Sequence, residues 1–231
     1  MTGVFDAIAQ RIATIRETIP PHVRLIAVSK QVSVEAMRAA YAAGVRDFGE
    51  SRIQEAEEKQ YQLQDLSDIT WHLIGHLQSN KAARALELFD WIHSVDSLKL
   101  ARRLNTLASD RPTPPQACLQ VKFASDPNKY GWDAPQLLAD LPELDQLHHL
   151  NIVGLMTIPP LGLSEDEILA LFSEAKEFAA QLDQTALQTI RMKELSMGMS
   201  GDYGLAIQAG ATMVRLGRVL FGDRPPQHPQ P

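Results

Sequence analysis

Apolar runs of strand length alternate with segments of helical period along most of the chain. The first such run, "VRLIAVSK", has five apolar residues in its first seven and ends at Lys30. It reads as a strand buried on both faces that terminates in an amine. The pattern predicts an opening helix over about residues 3–18. Strands follow near 24–29, 45–49, 69–75, 90–95, 116–122, 150–156, 194–198 and 212–217. Helices are predicted between them, near 33–43, 51–64, 79–88, 97–109, 133–140, 164–183 and 202–209.

The helix at 164 has the clearest signature. Ser164 and Glu167 make an S-x-x-E capping box, and Ile168, Leu171, Phe172, Ala175, Phe178 and Leu182 make one apolar stripe. Gly44 and Gly210 stand where helices should stop.

Eight strands with seven intervening helices predict an α/β fold, a single (β/α)8 barrel of TIM type. No helix is expected after the eighth strand, because the chain turns to proline there. The opening helix would fill that place in the outer ring. Residues 1–222 are expected to form one domain, and the proline-rich tail 223–231, "DRPPQHPQP", to be disordered. The competing architecture is a doubly wound open sheet, but no G-x-G-x-x-G follows the first strand.

Composition narrows the functional classes. Of 231 residues, 45% are hydrophobic and 22% charged, and the net charge is −6 with no Lys/Arg run, which argues against a nucleic-acid-binding surface. No apolar run approaches the roughly 20 residues that span a bilayer. The N-terminus lacks the basic and apolar regions of a signal peptide. Cys118 is the one cysteine, which forbids an internal disulfide and favours a cytoplasmic setting. A small buried residue on a strand is the expected role for it. No long apolar edge or heptad pattern occurs, so a monomer is expected.

A barrel carries its active face at the C-terminal strand ends. Those ends are polar here: Lys30, "GESR" at Gly49–Arg52, "GHLQSNK" at Gly75–Lys81, "HSVDS" at His93–Ser97, "KFASDPNKYGW" at Lys122–Trp132, Met156–Thr157, "SMGMSGD" at Ser196–Asp202 and "RLGR" at Arg215–Arg218. The last two segments lie where many barrels hold a phosphate. Ser200 and the free amides of a helix starting near Asp202 could cradle an anion, and Gly217 would allow close backbone approach. A Ser N-cap with a glycine turn would look the same. A lysine walled by apolar groups has a lowered pKa and can attack an aldehyde. Such an amine together with a phosphate cup suggests pyridoxal phosphate, although a strand-end lysine is often plain surface.

His72 and His76 share an H-x-x-x-H spacing, which suits zinc on a helix but not on a β-rich stretch. His72 is therefore expected to be a satisfied interior histidine and His76 a pocket-rim residue. Asp96 is a candidate either to orient a rim side chain or to cap the next helix, and His148 and His149 read as loop.

The segments "LIAVSK", "FGESRIQEAEEK", "WHLIGHLQSNKA", "HSVDS", "NKYGW", "GLMTIPP" and "LSMGMSGDYGLAIQAGATMVRLGRVLFG" resemble the pyridoxal-phosphate homeostasis (YggS/PROSC) family, in order, from about residue 24 to 222. The resemblance implies a barrel of the alanine-racemase N-terminal type with pyridoxal 5'-phosphate held as a Schiff base on Lys30. It implies phosphate contacts from Ser200, Gly201 and the Gly217–Arg218 backbone, Arg215 beside the pyridine nitrogen, and Met156 against the ring. Ser51 stands where most relatives carry Asn in "GENR", which shortens the reach of any contact made there. His76, Asn80 and Lys129 would border the site at its rim, Lys129 as a second amine or phosphate contact; on chemistry alone, Lys129 reads as a solvated loop lysine.

An arginine at the ring nitrogen stays cationic and only donates, so it does not supply the acidic partner that helps an electron-sink role. Racemases of related fold draw a second base from an extra β-domain of a partner subunit, for which this chain has no residues left over. The expected role is therefore a carrier in pyridoxal phosphate homeostasis, and so of amino and keto acids. It would have no strong catalysis of its own, and apo-enzymes would be the acceptors. The rivals are a Schiff-base racemase or aldolase, and a pure interaction protein.

Overall fold

The protein is described here by a computed structural model covering residues 2–124, 126 and 129–222. The expected tail at 223–231 lies outside the described residues. Eight parallel strands form a closed ring: β1 (Arg24–Val28), β2 (Asp47–Glu50), β3 (Thr70–Leu73), β4 (Trp91–Val95), β5 (Gln116–Lys122), β7 (Asn151–Met156), β8 (Glu194–Ser196) and β9 (Met213–Leu216). The order β4-β3-β2-β1-β9-β8-β7-β5 closes through a β4–β5 pairing, which rules out the open sheet. A two-residue strand, β6 (Trp132–Asp133), adds to β5 outside that ring.

The helices are α1 (Thr2–Thr18), α2 (Val34–Ala42), α3 (Ile53–Gln62), α4 (Ala82–Leu88), α5 (Leu98–Ala108), α6 (Ala134–Leu144), α7 (Glu165–Asp183), α8 (Tyr203–Ala209) and α9 (Arg218–Phe221). α1 packs against α2 and α9, and Thr18 at its end hydrogen-bonds Tyr203 of α8. It thus occupies the ring position expected of it. A helix nevertheless follows the eighth barrel strand. The four residues of α9 form one turn that starts at Gly217, before the first proline is reached.

Local signals account for most boundaries. The Ser164–Glu167 capping box is present with both bonds, and Leu171, Phe172, Ala175, Phe178 and Leu182 of α7 are buried. Gly210 ends α8 at φ 103°, a backbone region that glycine adopts without a Cβ clash. Two helices differ from expectation. Residues 79–88 split into a 3-10 turn at Ser79–Lys81 and α4. α6 continues through Pro142 to Leu144, and the carbonyl that the proline leaves unbonded belongs to Leu138, an exposed residue within reach of water.

Two apolar cores result. The larger lies between the strands and the helices, with Phe48, Phe172, Leu104 and Leu137 fully buried. The smaller joins Ile26, Trp91, Cys118, Met156 and Met213 from five different strands, a convergence that only the barrel interior allows. Cys118 is completely buried, and burial pushes its thiol up to about 12, so it packs as an apolar group. Among the described residues no helix is long and apolar enough to cross a membrane.

Candidate functional site

Residues alternate along β1, so Ile26 in the barrel interior sets the same facing for the strand end at Lys30. Lys30 is partly buried just past β1. Its neighbours are tied down from the helix side of the barrel. The ammonium of Lys59 donates to the Ser29 carbonyl at 2.6 Å, to Glu50 Oε1 at 2.8 Å and to Glu55 Oε1 at 2.7 Å. Ser29 Oγ also donates to Glu50 Oε1 at 2.7 Å, and the Gln31 amide donates to Glu55. Gln31 has φ 63°, the one left-handed non-glycine residue among those described. Burial pushes the Glu50 carboxyl up, against the pull of Lys59. Ser51, at the end of β2, is pressed against Gly75, where a Cβ would come within 2.3 Å of the Ser51 carbonyl oxygen.

The loops after β8 and β9 meet beside β1. The Gly217 amide donates to Ser200 Oγ at 3.3 Å, which links the two loops at the strands' C-terminal ends. Gly201 is exposed and has open space where a Cβ would stand. Asp202, the residue before α8, accepts from the Met199 amide at 2.5 Å and not from an α8 amide, so the first amides of α8 keep no side-chain cap. Gly198 has φ 93°, and its missing Cβ would stand 2.6 Å from that of Ala206, so glycine lets α8 close onto the strand. Arg218 opens α9 and is exposed.

Arg215 is 4% exposed. Its Nη1 donates to the Ser196 carbonyl at 2.6 Å and to Ser196 Oγ at 2.7 Å, and Nη2 donates to the Thr157 carbonyl at 3.0 Å. Burial lowers the guanidinium to about 10, so it remains a cation at neutral pH. Met156 is buried in the interior cluster. Thr157 Oγ1 is buried with no hydrogen-bond partner in the structure. A partnerless hydroxyl next to a buried cation, at the mouth of a barrel, fits a site shaped for a polar ligand.

At the rim, His76 donates through Nδ1–H to Asp96 Oδ2 at 2.7 Å and stacks on Tyr130 with 3.6 Å between ring centres. Asp96 therefore orients a rim side chain, and Ser97 caps α5. Asn80 is exposed on the 3-10 turn. Lys129 does not stand free in solvent. It is partly buried, pairs with Asp126 at 3.6 Å and donates to the carbonyls of Ile158 and Pro159, so it joins the loops after β5 and β7.

His72 is fully buried and hydrogen-bonded at both nitrogens, as an interior histidine should be. It lies apart from the exposed His76, and no group of three His, Cys, Asp or Glu able to hold a metal occurs among the described residues. Sequence reasoning missed two members of the interior. His93 and Ser196 fall within the predicted strands but were given no role; His93 is fully buried in β4, and Ser196 meets it across the barrel at 2.8 Å. The available signal was the two-residue alternation of Trp91 and His93.

Comparison with known proteins decides the family. Residues 5–225 match the family described as "Alanine racemase, N-terminal domain". The pyridoxal phosphate homeostasis protein of Synechocystis is 52% identical over 207 residues, covering 90% of this chain and 94% of that protein. The chain belongs to the pyridoxal phosphate homeostasis family. The protein of the same name from Pseudomonas aeruginosa is 42% identical, with 97% of each chain covered. Among solved structures, PipY of Synechococcus elongatus with PLP bound superposes with a TM-score of 0.89 at 54% identity, covering 93% of this chain and 100% of that one. An alanine racemase of Clostridium difficile superposes at 0.75, but at 17% identity, and this chain covers 58% of it. That likeness is one of fold.

Proposed function

We propose that this protein binds pyridoxal 5'-phosphate as a Schiff base on Lys30 and serves homeostasis of that cofactor in the cytoplasm, without strong catalysis of its own. The observation that carries the reading is positional. Lys30, the Ser200–Gly217 link and Arg215 belong to β1, β8 and β9, three neighbouring strands, and all stand at their C-terminal ends. A protein 54% identical with PLP bound supports the ligand.

Within this reading the residues to 222 act as one cofactor-binding unit. The Lys30 amine condenses with the aldehyde and water leaves. Ser200, Gly201 and the backbone of Gly217–Arg218 hold the phosphate. Met156 and Ser51 flank the ring, and His76, Asn80 and Lys129 border the entrance. When bound, the cofactor supplies an electrophilic aldehyde that other amines can take up, including a lysine of an acceptor apo-enzyme. Arg215 stays cationic and donates to the ring nitrogen, so it does not favour the protonated ring that strong electron withdrawal needs. The homeostasis names of the relatives point the same way.

The test is the visible absorption spectrum of wild type and Lys30→Ala with added pyridoxal phosphate, followed by borohydride reduction and mass spectrometry. A band present only in wild type, with the reduced adduct on the peptide holding Lys30, is expected. A colourless wild type, or an adduct on another lysine, would overturn the proposal.

A further inference from the structure

A row of polar groups crosses the barrel interior. It starts at Asp47, the first residue of β2, whose side chain is 23% exposed. His72 Nε2 lies 3.0 Å from Asp47 Oδ1, and His72 Nδ1 lies 3.0 Å from His93 Nε2. His93 Nδ1 lies 2.8 Å from Ser196 Oγ, which is 2.7 Å from Arg215 Nη1. His72, His93 and Ser196 are all completely buried, so the row exchanges nothing with water along its length.

Its two ends dictate its direction. A guanidinium can only donate, and a carboxylate can only accept. Burial holds both imidazoles below their ordinary range, His93 further than His72 because His72 and Arg215 also face it. Each is therefore neutral, with one donor and one acceptor nitrogen. Asp47 takes the Nε2–H of His72, which leaves His72 Nδ1 to accept from His93 Nε2–H. His93 Nδ1 then accepts from the Ser196 hydroxyl, whose oxygen accepts from Arg215. Every bond points the same way, and no other arrangement with two neutral rings satisfies all four.

We infer that Ser196, His93, His72 and Asp47 form a one-directional hydrogen-bond chain that positions the Arg215 guanidinium against the cofactor ring. The inference rests on the proposed placement of Arg215 beside the pyridine nitrogen. Two Nη1 bonds to Ser196 and one Nη2 bond to the Thr157 carbonyl hold the guanidinium plane, so the rest of its donor fork is presented to the barrel mouth. The polarised chain also sets how much negative character Ser196 Oγ offers the arginine, and with it how strongly Arg215 donates to the ring. The histidines are positioning residues, bonded to each other, to Asp47 and to Ser196.

Nitrogen NMR of the histidine rings in the full-length protein at pH 7.5, with and without pyridoxal phosphate, tests this. Both His72 and His93 are expected as neutral Nε2–H tautomers, and the His93 Nδ1 signal is expected to move when pyridoxal phosphate binds. Ser196→Ala should abolish that movement, shift the visible band and weaken cofactor binding about tenfold, the worth of one or two hydrogen bonds. If Ser196→Ala does not fold, a second pair serves. His93→Leu should show the same losses, and His93→Gln, whose amide can accept from Ser196, should recover part of them. A protonated ring, an Nδ1–H tautomer, or a Ser196→Ala protein with an unmoved band and wild-type affinity would overturn the inference. A wild type with no visible band would instead overturn the cofactor reading and this role of the chain with it, so the two failures are separable.

Discussion

The Lys59 ammonium stands 2.6 Å from the carbonyl oxygen of Ser29, the residue before Lys30. It shares two glutamates, Glu50 and Glu55, and is 8% exposed, while Glu50 is not exposed at all. Removing one partner of a buried pair leaves the other charged and unsolvated, at a cost of about 3–5 kcal/mol. Lys59→Met should therefore lose about that much in urea unfolding and should bind pyridoxal phosphate more weakly, because Ser29 and Gln31 no longer fix the ends of Lys30. Lys59→Met combined with Glu50→Leu should regain most of the stability. A single mutant as stable as wild type would show that Lys59 does not offset a buried charge on Glu50.

The two buried histidines make the fold acid-sensitive. Both have folded pKa values lowered from 6.5, so the unfolded chain takes up protons near pH 6.5 and the folded chain does not. Their contribution is complete above pH 6.5 and declines as pH falls below it, by up to about 1.4 kcal/mol per pH unit for each ring. The facing groups are Asp47 and Asp90, which favour the proton, and Arg24 and Arg215, which oppose it. Glu50, raised from 4.5 by burial, acts in the opposite sense in part of this range. The informative quantity is thus the difference between wild type and His93→Gln in urea unfolding from pH 5 to 8. That difference should shrink as pH falls below 6.5, and a difference independent of pH would refute the neutral-ring assignment.

Asp145 provides a contrast on the opposite face of the barrel. It is 7% exposed, and its carboxylate accepts the amides of Gln188, Thr189 and Ile190 together with the Thr189 hydroxyl. Burial alone would raise it, but these donors outweigh burial and hold it below the usual 3.8. Asp145→Ala should cost about 1–3 kcal/mol, since it strands the buried Ile190 amide and the part-buried donors of Gln188 and Thr189. Cofactor affinity should stay within about twofold of wild type, because stability-determining residues sit at the N-terminal face of a barrel and function at the other. Calorimetry paired with a cofactor titration separates the two effects.

Ser200 makes a bond that can be removed without disturbing the core. Its hydroxyl accepts from the Gly217 amide at 3.3 Å and lies at the proposed phosphate site. Ser200→Ala should weaken pyridoxal phosphate binding by about tenfold and lower the melting temperature only slightly. Lys30 should still be the residue trapped by borohydride at saturating cofactor. Unchanged affinity would remove Ser200 from the phosphate site.

Much of this protein is written in local pattern. The alternation of apolar runs and helical stripes set the eight strands and their order of appearance, because burial on both faces needs near-continuous apolar sequence. The capping box of α7 and the glycine stop of α8 are local too, since each depends on a few adjacent residues. The strand-end rule placed Lys30, Ser200 and Arg215 at one mouth before any contact was visible.

Other features needed the closed ring. α9 is a single turn after Gly217, and the proline composition beyond it hid that turn. Lys129 looked solvated, yet the pairing of β5 with β7 brings the loops after both strands within reach of its long side chain. The Asp47–His72–His93–Ser196–Arg215 row is the strongest case. Its members are spread over 169 positions of sequence, from 47 to 215 counted inclusively. No periodicity links them, because strands that do not neighbour one another share an interior only after the first and last have paired. The chain by itself determined which residues could carry chemistry; the closure of the barrel decided which of them meet.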